Sequence, residues 1–234
     1  TEFIGNSAEG YASMGGAIRN GYGDMTFNDA VTFDSNISER TIAGNGAQGG
    51  AINNEGTMTF KDAVTFTGNQ AVNTVGQTSG LTYLAKGGAI YNESYGTPAA
   101  ITFEKGATFV NNQADLGGAI FNNEGTINLT DATFTGNTAA TNGGAIYNAG
   151  TLTLAGTNTF SGNTAASAGN DIYNIGDLII NDTTTLDGGI AGNGSVDVKG
   201  TLNIGTAVVE ADTLAFANNS TLGVTFTNGE MGNL

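Results

Sequence analysis

One tetrapeptide governs what this chain can fold into. Gly-Gly-Ala-Ile occurs at 15–18, 49–52, 87–90, 117–120 and 143–146, followed by a degenerate sixth copy, Gly169-Asn170-Asp171-Ile172. The last two steps between copies, Gly117 to Gly143 and Gly143 to Gly169, are equal and shorter than the three before them. A second motif, Phe-x-x-Asn, alternates with the first: Phe3/Asn6, Phe33/Asn36, Phe66/Asn69, Phe109/Asn112, Phe134/Asn137 and Phe160/Asn163. Between each Ile and the next Phe lies a short alternating segment, with apolar pairs Met25/Phe27, Met58/Phe60, Ile101/Phe103, Ile127/Leu129 and Leu152/Leu154. The minimal unit is thus the interval from Gly117 to Gly143, and it holds three short alternating segments.

Apolar residues at i and i+2 have the period of a strand, not of a helix. Thr fills many alternate positions, where a β-branched polar side chain suits a solvated strand face. Gly and Asn punctuate the segments and supply the left-handed backbone that sharp corners need. A unit this small cannot bury its apolar residues alone, but stacked units can, each Ile, Leu and Phe lying over its counterpart one coil away. The expected fold is therefore all-β: a right-handed parallel β-helix, three-faced, of roughly eight or nine coils and about 40 Å long at strand spacing. A β-propeller would need about 40 residues per blade. The repeat zone covers 1–175. The tail, 176–234, loses Gly-Gly-Ala-Ile but keeps alternation at Leu178/Ile180, Val196/Val198, Leu202/Ile204, Leu214/Phe216 and Leu222/Val224/Phe226, and reads as further coils of simpler sequence.

Composition removes several functions. The chain has no His and no Cys, which excludes imidazole bases, thiol nucleophiles, disulfides and most zinc sites. Six Lys and Arg against 21 Asp and Glu give a net charge of −15 and argue against nucleic acid. No run of about 18 apolar residues is long enough for a membrane-spanning helix. No cofactor is expected. Glu55 and Glu93 fall in register with Glu124 one residue off, but no calcium-binding nonapeptide accompanies them.

Registering the units turns positions into columns. Asn20, Asn54, Asn92, Asn122, Asn148 and Asn174 stand two residues after each Ile and, like the Phe-x-x-Asn set, read as a structural amide ladder. The residue between Ile and Asn points outward by alternation: Arg19, Asn53, Tyr91, Phe121, Tyr147, Tyr173. Four successive aromatics there are either a self-supporting ladder or an exposed contact strip for a partner. A charged column, Asp29, Asp62, Lys105, Asp131 and Gly156, places Lys105 between two carboxylates. The longer units carry insertions at Ile37–Gln48 and Gln70–Lys86, the latter with Leu81-Thr82-Tyr83-Leu84, and both leave the same edge in adjacent coils. A third, Ser94–Ala100, holds Tyr95 and Pro98. Insertions on one face of a solenoid are either binding loops or neutral drift. The candidate binding residues are Tyr83, Leu84, Tyr91, Tyr95, Phe121, Tyr147 and Tyr173.

The paired motifs resemble the polymorphic outer membrane protein repeats of chlamydiae and are similar to repeats of other bacterial autotransporter-type adhesins, over residues 3–175. The resemblance implies a secreted passenger on a Gram-negative cell surface that contacts a host or neighbouring-cell protein or glycan. It also implies a C-terminal translocator barrel absent from this segment, which itself would not insert into a membrane. The expected function is non-enzymatic adhesion. The alternative is a polysaccharide-degrading enzyme on the same scaffold, using two carboxylates across a glycosidic bond. Flat Thr arrays for ice binding are disfavoured by the unequal coil lengths.

Overall fold

Successive coils repeat a series of short strands that pair in parallel, so the chain winds into a parallel β-helix with no α-helix among the described residues. The structure is a computed structural model and describes residues 1–75 and 83–225. Phe226 and the Leu81-Thr82 part of the second insertion lie outside the described residues. The expected neighbours do stack: Ile52, Ile90, Ile120, Ile146 and Ile172 pair in register, all fully buried in one continuous core.

The cross-section differs from the expected three walls. The strands form four sheets of nine, six, seven and eight members. The Asn wall begins at each Ile (Ile90–Glu93, Ile120–Asn123), the middle wall carries the alternating pairs (Ala100–Phe103, Thr126–Thr130), and the Phe wall carries Phe-x-x-Asn (Ala107–Val110, Thr133–Thr135). The fourth wall is short and follows the Phe-x-x-Asn corner: Ser7–Gly10, Ile37–Arg40, Gln70–Asn73, Gln113–Leu116, Thr138–Asn142 and Thr164–Ala165. Its interior positions are mostly Ala, as at Ala71, Ala114 and Ala139, so its apolar periodicity is faint in sequence. The insertions proper therefore begin only after Arg40 and Asn73. After residue 165 the short wall ends and the coils shorten: Thr151 pairs with Asp177 one coil on, whereas Asp177 pairs with Ser195 and Thr183 with Thr201. Three walls describe these tail coils and four describe the repeats.

The Gly-Gly pair makes the corner between the short wall and the Asn wall. Gly87 takes φ +65°, and a Cβ there would strike the Ile90 carbonyl. A Cβ on Gly88 would strike the carbonyl of Gly118 in the next coil. The second glycine is thus demanded by a coil stacking on it, and Asn170 is admitted in the last copy where Gly188 faces it with no side chain.

Inside, like stacks on like. Phe3, Phe33, Phe66, Phe109, Phe134 and Phe160 form a column with ring centroids 4.6–4.9 Å apart. Phe27, Phe60 and Phe103 form a second at 4.9 Å and meet the first edge-on. Each such ring pair adds about 0.5–1.5 kcal/mol beyond area burial.

Two amide ladders hold the corners. Asn20, Asn54, Asn92, Asn122 and Asn148 each donate Nδ2 to the Oδ1 of the next, ending at Asn174, at 2.8–2.9 Å. The second ladder runs Asn6→Asn36→Asn69→Asn112→Asn137→Asn163 at 2.8–3.0 Å, and each acceptor also takes the backbone N–H of the preceding Asn. Such a chain is polar and needs an acceptor at its end. Asn174 finds the carbonyl of Ser195 at 2.8 Å. Asn163 finds Asp171, the residue that replaces Ala in the sixth motif: Oδ1 accepts from Asn163 at 2.9 Å and Oδ2 from the Gly188 N–H at 2.7 Å. On the outside, Lys105 pairs with Asp62 at 3.2 Å, whose carboxyl is held below its usual range by the Ala63 N–H and then by Lys105. Asp131 instead accepts the Thr157 N–H at 2.7 Å.

Two measurements test the ladders. Asn137→Ala takes the acceptor from the backbone N–H of Asn112 and from one of its two side-chain N–H bonds, the other keeping the Phe66 carbonyl, and should cost about 2–4 kcal/mol in urea unfolding. Burial pushes the Asp171 carboxyl up to about 6, against opposing hydrogen bonds from Asn163 and Gly188. A folded-state value above the unfolded one means the folded chain binds the extra proton, so this contribution is fully present below about pH 4 and lost as pH rises through about 6. Acidification from pH 7 to pH 5 should stabilise the wild-type chain relative to Asp171→Asn, whose amide does not titrate; equal pH slopes would contradict this.

Candidate binding site

The outward column behaves differently from an exposed strip. Tyr91, Phe121 and Tyr147 are only 1%, 5% and 7% exposed, and Tyr173 is half-buried. Their rings stack at 5.5, 4.6 and 5.1 Å and, with Leu116, form a second apolar cluster outside the Asn wall, against which Leu84 packs. The Lys86 ammonium lies 5.5 Å from the Phe121 ring centroid, and burial lowers its pKa. Burial likewise raises the Tyr147 phenol, with Tyr173 adding to it. Leu84, Lys86 and Leu116, which precede Gly87 and Gly117, cover part of the column.

The long insertions supply much of that cover. Arg40, itself buried, donates to the Gly44 carbonyl at 2.8 Å and the Val75 carbonyl at 3.1 Å, and its guanidinium carbon lies 5.9 Å from the Tyr83 ring centroid. Asn73 donates to the Tyr83 carbonyl at 2.8 Å, and Asp115 accepts the Ala85 N–H at 2.8 Å. Tyr83 and Leu84 are thus bound down onto the solenoid. The expected loop residues and the expected aromatic strip are largely one packed unit, and Tyr95, 71% exposed, stands apart from it.

A trough opens where the aromatic column stops. In the first two coils the column holds Arg19 and Asn53, in register with Tyr91. Without rings there, a concavity of about 420 Å³ remains, lined by Met14, Arg19, Tyr22, Asn45, Gln48, Glu55, Lys86, Tyr91, Glu93, Tyr95 and Asn123. One side is the bridge-paired series Met14, Gln48 and Lys86 before the Gly-Gly corners. The other is the end of the Asn wall, at Glu93 and Asn123, and the turns after it, with Tyr22, Glu55 and Tyr95. It crosses four coils, about 15 Å at strand spacing.

Its polar groups are organised. Arg19 donates to Glu55 at 3.3 Å, and Glu93 accepts from Asn123 at 2.8 Å. Burial, and then the neighbouring Glu93 carboxylate, push the Tyr91 phenol well above its ordinary pKa. Asn53, fully buried beneath, donates to Gln48 at 3.2 Å, while its Oδ1 has no partner among the described residues. Tyr22 is 59% exposed and adopts φ +64°, a conformation glycine takes without strain and other residues at a cost of about 1–3 kcal/mol. Among the described residues no group of His, Cys, Asp and Glu is arranged to hold a metal.

Sequence reasoning reached Tyr91 and Tyr95 but missed Arg19, Tyr22, Gln48 and Asn53. The available signal was the break in the column: Arg19 and Asn53 are its two members without a ring.

Fold and trough together define a parallel β-helical repeat protein with a lined trough on one flank. Within that class, residues 63–93 and 131–149 match the Chlamydia polymorphic membrane protein repeat. Each matched stretch contains Phe-x-x-Asn followed by Gly-Gly-Ala-Ile. No curated protein and no solved structure matches the chain.

The buried column predicts a stability role. Phe121→Ala, which removes a ring stacked on both sides, should cost about 3–5 kcal/mol in chemical unfolding. A loss below about 1 kcal/mol would return the ring to the class of exposed contact residues.

Proposed function

We propose that this chain is a surface-exposed passenger segment of the polymorphic membrane protein type, and that it holds a ligand on a host or neighbouring cell through the trough without transforming it. The repeat match supports the surface location, since that family is named for membrane proteins. The observation that carries the binding role is the interruption of the aromatic column. Four coils fill and cover this position with rings, whereas the first two leave a polar trough flanked by exposed Tyr22 and Tyr95. The rigid ladders beneath keep those side chains at fixed spacing, which limits the ordering cost of binding. Both carboxylates of the trough are already engaged, Glu55 by Arg19 and Glu93 by Asn123, an arrangement that serves to hold the lining in place.

Asn53→Tyr tests this reading. It continues the ring column onto Tyr91 and fills the trough. Labelled wild-type protein should bind cultured epithelial or bacterial cells saturably, and Asn53→Tyr should bind at least tenfold more weakly while unfolding at an unchanged or higher temperature. Equal binding by both proteins would refute the trough as the site. Release of sugar products from surface polysaccharide would refute the non-enzymatic reading.

A further inference from the structure

Resting on that reading, we infer that the trough's ligand is a neutral oligosaccharide, a short chain of hexose or N-acetylhexosamine units lying along the solenoid axis with sugar faces against Tyr22 and Tyr95.

The shape fits an extended chain. The trough is open, crosses four coils and has walls whose residues follow one another at strand spacing, which gives it the length and straightness of an extended chain. The lining fits sugars. Tyrosine rings offer flat apolar faces to the C–H side of a pyranose, and the exposed Tyr22 and Tyr95 also present their phenols to water or a hydroxyl. Three of the seven tyrosines line this one concavity. Around them stand the amides of Asn45, Gln48 and Asn123, which donate and accept, and the carboxylates of Glu55 and Glu93, which accept, a mixture that suits vicinal hydroxyls. Below them the buried Oδ1 of Asn53 is an acceptor with no donor among the described residues.

The charge favours a neutral ligand. Two cations, Arg19 and Lys86, are matched by two carboxylates, Glu55 and Glu93. Arg19 is held by Glu55, and Lys86 is drawn onto the Phe121 ring instead of standing out into solvent. The surrounding net charge of −15 repels anionic sugars at a distance.

A polypeptide ligand fits less well. Protein interfaces centre on a desolvated apolar patch, and apart from its tyrosines the trough offers only Met14 as a large apolar side chain. Addition of a peptide strand would use the free edge of Ile18–Asn20, the terminal strand of this sheet, whereas the trough lies across the face of the sheet.

Tyr22 adds an independent sign. It sits between Gly21 and Gly23 in a left-handed conformation that either neighbour would adopt more easily, and its ring is largely exposed. A strained, solvent-facing ring contributes little to this fold, and strain of this kind gathers at ligand sites.

The test uses a panel of neutral oligosaccharides ending in hexose or N-acetylhexosamine, each with its sialylated or uronate-capped counterpart. Binding is read by saturation-transfer NMR and calorimetry on the whole chain. At least one neutral oligosaccharide should bind, with at least tenfold preference over its acidic counterpart, and should compete with cell attachment. Tyr95→Ala should weaken it at least tenfold. Tyr22→Gly should weaken it similarly while raising the unfolding temperature, a pair of effects a purely structural tyrosine would not give. Preference for the acidic partners would overturn the inference, as would cell attachment that is sensitive to Asn53→Tyr but is abolished by protease and untouched by deglycosylation. In that last case the binding function would stand and only the sugar would fall. Sugar binding without any cell attachment would uphold the inference and overturn the function proposed above.

Discussion

Every wall of this protein depends on one constraint: a residue must tolerate its own counterpart about 5 Å above and below it. Backbone ladders impose that spacing, and side chains survive only if they gain from it. Flat rings do, and so do primary amides, because each Asn carries one donor and one acceptor group that can be passed from coil to coil. Like charges do not, and among the described residues no column facing the lumen repeats a carboxylate. The second glycine of each Gly-Gly pair exists for the same reason, since the next coil's carbonyl occupies the place of its Cβ.

A periodic column must also end, and the ends explain the departures from the repeat. The second amide ladder runs out at Asn163, and Asp171 enters as a terminal acceptor where every other full copy has Ala. Asn170 enters beside it because the Gly188 of the next turn leaves room. Beyond this point the short wall disappears and each coil tightens, the step from Thr151 to Asp177 giving way to the shorter step from Asp177 to Ser195. Degeneracy in the sixth motif is therefore a change of cross-section, written in two residues.

The same logic links fold to function. Outside the Asn wall the aromatic column is a structural device in the later coils, packed under Leu84, Leu116 and Lys86. In the first two coils its absence leaves a trough, with the scaffold beneath unchanged. A solenoid can in this way create a site by omission, keeping floor and walls rigid while only the filling side chain differs. The insertions contribute walls to that site; Arg40 and Asn73 tie them to the coils, so they do not act as free loops.

The motif spacing by itself determined the parallel β-helix, the Ile and Phe columns and both Asn ladders, because side chains that repeat at coil length must stack if the chain is to bury them. It did not reveal the fourth wall, whose inward residues are mostly Ala and whose alternation carries too little apolar contrast to read. Nor could alternation alone decide whether Tyr91, Phe121 and Tyr147 meet solvent. It points them away from the lumen, but only the tertiary path of the residues before Gly-Gly lays Leu84, Lys86 and Leu116 across them. The trough was hidden for the same reason. Its parts come from four coils and from both edges of one wall, and side chains as distant as Met14 and Asn123 become neighbours through winding, not through local sequence.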